Sequence, residues 1–368
     1  MLGRSILSLG LGLLASTAAL VSAADVCNGH AELCSKKYSN MTFLGAHNSY
    51  AVGSSIADNQ NKDVTDQLND GIRTLQVQTH NASDGIHLCH SSCSLLDGGL
   101  LSDYLTKINT WVKANPTEVI TIVIVNIDTL PPTTFASAFE SSGLSSSAYS
   151  PSASALSISE WPTLGELVDS GKNVIVFMDY NADFTTVPYI MDEFTNIWED
   201  AYDVTTTGWE CAVNRSSGSS GSMMMLVNHF LDTTYAFGGT QFFVPNKNEL
   251  NVTNSEASIS SHVGNCNSIW GRAPNHILLD FYDSNGNEPF NYVAQLNGVA
   301  APTNTVTEFI ASATGSSASS SGTARNAQIS QSALGAASSR VDLALVKWGL
   351  GLGLGLTGMI AGGMAVRL

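Results

Sequence analysis

The chain predicts an α/β domain built on a parallel sheet, with the size usual for a barrel. Three observations carry this. Short, apolar, β-branched runs that do not alternate recur along the chain, as strands buried on both faces do. Amphipathic helical stripes lie between some of them. Once the two ends are set aside, roughly 275 residues remain, 25–300, a length an α/β barrel commonly takes.

The elements follow in order. Residues 1–23 read MLGRSILSLGLGLLASTAALVSA. Arg4, an apolar stretch and the small residues Val21-Ser22-Ala23 make the pattern of a secretory signal peptide, cleaved to leave a chain starting near Asp25. Six runs then read as strands: MTFLGA (41–46), IRTLQVQ (72–78), VITIVIV (119–125), NVIVFM (173–178), MMMLV (223–227) and HILLDF (276–281). LSDYLTKINTWVKANP carries a helical stripe through Leu101, Tyr104, Leu105, Ile108, Trp111 and Val112, stopped by Asn115-Pro116. VPYIMDEFTNIWEDAYD predicts a second helix, with its stripe at Val187, Ile190, Met191, Phe194, Ile197 and Trp198. Residues 301–339 are rich in Ser, Ala and Thr with no apolar period, so they bury too little to offset their ordering entropy and read as a disordered linker. Residues 340–368 are largely apolar. Gly335-Ala336-Ala337 stands about ten residues before Trp348, which predicts a glycosylphosphatidylinositol signal with lipidation at Gly335. Asn326, Ser332 and Ser338 are alternative attachment residues, and a C-terminal membrane helix is the alternative to the anchor.

Charge and cysteines narrow the class. Fifteen Lys and Arg stand against 31 Asp and Glu, a net charge of −16, with no basic patch of the kind nucleic-acid binding needs. Nothing in the sequence points to a protein partner. The six cysteines, Cys27, Cys34, Cys89, Cys93, Cys211 and Cys266, sit behind a signal peptide and imply disulfides. Proximity favours Cys27–Cys34 and Cys89–Cys93, leaving Cys211–Cys266. A zinc site from Cys89, Cys93, His87 and His90 competes weakly, because secreted thiols oxidise. Sequons at Asn40, Asn81, Asn214 and Asn251 predict glycosylation. The expected location is the outer face of the plasma membrane or the cell wall.

Every predicted strand ends on polar residues: His47 and Asn48, Gln76 and Gln78, Asn126 and Asp128, Asp179, Asn228 and His229, Asp280 and Asp283. In an α/β barrel all carboxyl ends of the strands open onto one face, where the active site sits. Two of the eight histidines stand out. His47 ends the first strand, after a glycine and an alanine that leave room around it. His90 follows the second strand, inside a loop that a Cys89–Cys93 bond would hold tight. Histidines titrate near neutral pH and suit general acid–base work.

The ordered set GAHNSY, DGIRTLQVQTH, HLCHSSCSLLDGG, NVIVFMDYNADFTTVPYIMDEF and HILLDFYD resembles the phosphatidylinositol-specific phospholipase C superfamily, most closely its secreted fungal PLC-like phosphodiesterases, over most of residues 40–300. The resemblance implies a distorted (β/α)8 TIM-type barrel and cleavage of a phosphodiester by two histidines. One takes the proton of an attacking hydroxyl and the other protonates the leaving alcohol. Carried over, these are His47 and His90, with His87 as the fallback. It implies that a late-strand aspartate, Asp280, can orient His47. From the pattern of polar strand ends, Asn48, Gln76, Gln78, Asn126, Asp179, Asn228 and Asp280 are expected to face a phospholipid or inositol-phosphate substrate. Where bacterial relatives carry Asp and Arg on the second strand, and calcium-dependent ones Glu and Asp, this chain has Gln76 and Gln78. Asn48 matches a calcium ligand, but with two glutamines it makes a poor calcium site, so no metal and no other cofactor is expected. Arg73, Arg272 and Lys172 are the cations weighed for the phosphate, with structural roles expected for each. A barrel that binds at the cell surface or wall without turnover is the alternative. A glycoside hydrolase using Asp179 and Asp280 is a third reading.

Overall fold

The computed structural model describes residues 24–237 and 240–307. The expected signal peptide, most of the expected linker and the expected C-terminal anchor signal lie outside these residues. The strands are β1 (Phe43–Ala46), β2 (Thr74–Ala82), β3 (Gly85–Cys89), β4 (Asp97–Leu100), β5 (Ile120–Asn126), β6 (Val174–Met178), β7 (Ile190–Asp192), β8 (Ile197–Glu199), β9 (Met224–Asn228), β10 (Asp232–Phe237), β11 (Thr240–Pro245) and β12 (His276–Leu279). The helices are α1 (Val64–Asp70), α2 (Leu101–Ala114), α3 (Pro132–Ser142), α4 (Leu164–Asp169), α5 (Glu193–Asn196), α6 (Leu250–Thr253), α7 (Glu256–Trp270) and α8 (Glu288–Asn297).

Eight strands run parallel in the order β7-β6-β5-β2-β1-β12-β9-β8. The sheet curls into an incomplete barrel. Its end strands β7 and β8 follow each other through the single turn of α5 and share no ladder in the sheet path. All six strands expected from the sequence are members. The predicted helix over VPYIMDEFTNIWEDAYD is not formed: β7, α5 and β8 occupy it. Residues 190–200 are buried almost throughout rather than along one stripe. With burial on every side, the period of the apolar residues no longer selects a helix. The predicted helix after Leu100 is α2, and its chain leaves the helix at Asn115.

Alternation along each strand divides the core in two. Leu44, Ala46, Leu75, Val77, Val174 and Val176 pack outward against the helices. Phe43, Val123, Ile175, Phe177, Leu226 and Leu278 fill the lumen. The lumen floor also holds polar groups that satisfy one another, such as Thr74 Oγ1 and His276 Nδ1 at 2.8 Å. Complete burial pushes His276 down to about 3, so it stays neutral. The disulfides are Cys27–Cys34, Cys89–Cys93 and Cys211–Cys266, the pairing that proximity favours. Bonded cysteines leave no thiolate for the competing zinc site. The sequon asparagines Asn40, Asn81, Asn214 and Asn251 are all exposed.

Candidate active site

His47 is the first residue past β1, in step with the inward-facing Phe43 and Gly45, and alternation turns it into the barrel mouth. Glycine precedes it for a different reason from the one the sequence offers. A Cβ on Gly45 would stand 2.5 Å from Leu278 Cδ2 and 3.0 Å from Thr74 Cβ. The small residue fits a lumen with no space to spare.

Asp280 is the first residue past β12, the neighbour of β1. Its Oδ1 lies 2.8 Å from His47 Nδ1. A carboxylate only accepts, so Nδ1 carries a proton and Nε2 presents its lone pair. Asn48 Nδ2 donates toward that Nε2 at 3.2 Å. Phe230 stacks face to face on the imidazole, with centroids 4.0 Å apart and planes 2° from parallel. His47 is 4% exposed and Asp280 1%, so water competes little for these bonds. Asn48 holds a left-handed backbone, φ 41°, which Asn tolerates better than most residues. Its N–H donates to Gln76 Oε1 at 2.7 Å.

His90 reaches the same rim by another route. β2 turns back at residues 83–84 into antiparallel β3, which returns the chain to the level of Gln78. There the Ser91 N–H donates to Gln78 Oε1 at 2.9 Å. The Cys89–Cys93 bond and a 2.6 Å bond from Ser92 N–H to the His90 carbonyl tighten the loop around a buried His90. His87, one step out of phase, sits between Asp97 at 2.9 Å and Asp84 at 3.0 Å on the hairpin surface. The Asp97 hydrogen bond raises its proton affinity, and the structure gives it a carboxylate clamp rather than a place at the mouth.

The other expected residues divide by phase. Asp179 and Asn228 are in step with inward-facing neighbours. Asp179 Oδ1 accepts from the N–H groups of Asn126 and Tyr180, yet burial pushes its carboxyl up to about 6. Asn228 Nδ2 turns back to the Asp200 carbonyl at 3.3 Å. Asn126 is out of phase. Its amide donates to the carbonyls of Leu130 and Tyr180 and accepts from Leu130 N–H, so it braces a loop and does not face the mouth. Arg73 pairs with Glu118 at 2.8 Å below the sheet, Lys172 donates to the Ser146 carbonyl, and Arg272 donates to Asn275 Oδ1. All three cations are structural, as expected.

Several residues at the mouth carry no local signal in the sequence. Glu193 is the first residue past β7 and Glu199 ends β8, the two short strands in the stretch that reads as helix, and Arg215 pairs with Glu199. Arg215 also stacks over the Tyr202 ring at 4.6 Å. Burial, then the neighbouring Glu199, holds Glu193 in its protonated form well above the usual carboxylate range. Phe230 could have been found by counting in twos from Leu226. Asn59 could not, because only the fold brings its loop to Asp280.

The donor set does not fit calcium. Gln76 and Gln78 spend their oxygens on backbone N–H groups, and Asp280 Oδ1 is taken by His47 and Asn59. Calcium needs six or more oxygens, several of them anionic. Commitment of Asp280 to an imidazole likewise removes it from the two-carboxylate role of a glycoside hydrolase.

A family model described as PI-PLC X 1 matches residues 33–297. The "PI-PLC X domain-containing protein 1" of Arthroderma benhamiae is 42% identical over 288 residues, 76% of this chain and 93% of that protein. A second protein of that fungus, named "Uncharacterized secreted protein", is 41% identical over 284 residues, 74% of this chain, and the match spans 64% of its length. The phosphatidylinositol-specific phospholipase C of Listeria monocytogenes matches with a TM-score of 0.50 at 14% identity, over 72% of this chain and 95% of its own. At that identity the likeness speaks for the fold alone.

Proposed function

The chain belongs to the PI-PLC X-domain family, and on that premise we propose that it is an extracellular phosphodiesterase cleaving a phospholipid or inositol phosphodiester. The observation that carries the reading is the buried His47–Asp280 pair at 2.8 Å, which sets the imidazole for general base work. His47 Nε2 takes the proton of a substrate hydroxyl as that oxygen bonds to phosphorus. The phosphorus–oxygen bond to the leaving alcohol breaks, and His90 supplies the proton that alcohol needs. A cyclic phosphodiester and a free alcohol result. An attacking group within the substrate makes the step nearly unimolecular, so positioning contributes much of the rate.

A lipid substrate is favoured by what surrounds the mouth. Val52 and Ile56 after β1, Ile127 after β5, Tyr180 after β6, Tyr202 after β8 and Tyr235 on the β10–β11 hairpin are all exposed. Large apolar side chains gathered on one rim mark an interaction surface. Export is supported by the three disulfides and by the relative named as secreted. Attachment through Gly335 and glycans on the four sequons belong to the same proposal.

One observation favours a second reading, a binding barrel without turnover. Arg215, on the inner wall, is already paired with Glu199, and Gln76 and Gln78 carry no charge to offset a phosphate. The test is an assay of purified protein on phosphatidylinositol and glycerophosphoinositol. His47→Ala and His90→Ala are each expected to lower kcat/KM by about 10²–10⁴-fold, and chelator to leave it unchanged. Turnover that survives both substitutions sinks the two-histidine mechanism, and no turnover by the wild type leaves the binding barrel.

A further inference from the structure

We infer that Asn59 is the positioning residue that sets which nitrogen of His47 faces the substrate, by holding Asp280 on one side of the ring and Asn48 on the other. The inference rests on His47 as the general base of the proposed reaction. Asn59 lies in the loop after β1 and is 1% exposed. Its N–H donates to the Ala51 carbonyl at 2.9 Å and its carbonyl accepts from Phe281 N–H at 2.7 Å. The backbone of Asn59 is thus fastened to the segments that carry both members of the pair.

The two ends of its amide go to different partners. Nδ2 donates to Asp280 Oδ1 at 2.9 Å, and Oδ1 accepts from Asn48 Nδ2 at 3.2 Å. That same Asn48 Nδ2 lies 3.2 Å from His47 Nε2. One side chain therefore braces both the acceptor at Nδ1 and the donor at Nε2. Donor and acceptor balance permits only this orientation, because a flipped amide would set its oxygen against a carboxylate oxygen. The 3.3 Å approach of Asn59 Nδ2 to His47 Nδ1 is that of two donors sharing one acceptor.

Removing the Asn59 donor leaves the Asp280 carboxylate less stabilised and more basic. It then holds the imidazolium form of His47 more tightly. The other charges on this side are Asp58, beside Asn59, and Lys247 from the segment after β11, which attracts both Asp58 and Asp280. Asp283, further along the Asp280 segment, bonds Asn61.

The test reads the histidine rings of the full chain by two-bond nitrogen–proton correlation, without substrate, across pH. Wild type is expected to show His47 protonated at Nδ1 when neutral. In Asn59→Ala the His47 titration midpoint is expected to rise by about one pH unit, tenfold in proton affinity. In Asn59→Asp it rises further, because a second carboxylate is added without a change of size. A merely structural residue would not produce that order. A folded Asn59→Ala whose His47 titrates like wild type overturns the inference, and so does an Asn59→Asp midpoint below that of wild type. Should the alanine variant fail to fold, the near-isosteric aspartate decides alone. Failure of the phosphodiesterase assay would remove the function and leave this titration to stand or fall by itself.

Discussion

Asp280 and Asp179 are both buried carboxylates one residue past a strand, yet their surroundings differ. Asp280 Oδ1 takes two side-chain donors, His47 and Asn59. Asp179 takes two backbone N–H groups on Oδ1, and its Oδ2 has no partner among the described residues. Burial outweighs those bonds and lifts its carboxyl from 3.8 to about 6. Between those two values the unfolded chain has released this proton while the folded chain still holds it. Stability therefore falls as pH rises through that window and stays lower above it. A shift of about two units is worth on the order of 2–3 kcal/mol. Asp179→Asn keeps the accepting oxygen and removes the ionisation. In urea unfolding its stability relative to wild type is expected to grow by that amount from pH 4 to pH 7. A difference that stays constant with pH would rule this out.

At the scale of elements, the weak place is the seam between β7 and β8. Elsewhere in the sheet path neighbouring strands share backbone ladders, but here side chains span the gap. Glu193 hydrogen-bonds Glu199, and Arg215 pairs with Glu199 and bridges its backbone. Arg215→Ala leaves a buried Glu199 without its cation. The expected loss of stability is toward the lower end of ~3–5 kcal/mol, since the Arg215 side chain is 23% exposed. Thermal or urea unfolding measures it, and a loss under about 1 kcal/mol would mean the seam is held by packing instead. The β2–β3 hairpin solves a different problem. It turns a residue twelve positions past Gln78 back to the same level, which no parallel strand could do.

For the whole described body, two properties meet at the mouth. Its rim exposes apolar side chains after β1, β5, β6, β8 and β9, and the chain as a whole carries a net charge of −16. Apolar contact favours a lipid surface, whereas the charge opposes an anionic one. Binding to phosphatidylcholine vesicles is expected to exceed binding to phosphatidylserine-rich vesicles by about fivefold or more at low salt. The gap should narrow as salt is added. Sedimentation with vesicles reads this directly. Equal binding to both, or tighter binding to the anionic ones, would show that the rim is not the contact surface.

Much of this protein was settled by local sequence. The six apolar runs became strands, because strands buried on both faces need only a continuous β-branched stretch. The Cys89–Cys93 bond around His90 followed from spacing alone. His47 and Asp280 stood out as polar residues at the ends of such runs. The tertiary structure decided which strand-end residues share the mouth. Asn126 turned away on the phase of a single residue, and Gln76 and Gln78 turned their oxygens to the loops that carry the histidines. It also decided β7 and β8, where burial on all sides overrode a helical period. It placed Asn59 against Asp280 across 221 residues of chain. A contact of that kind depends on how the strands are ordered around the barrel. No pattern within either short segment encodes that order.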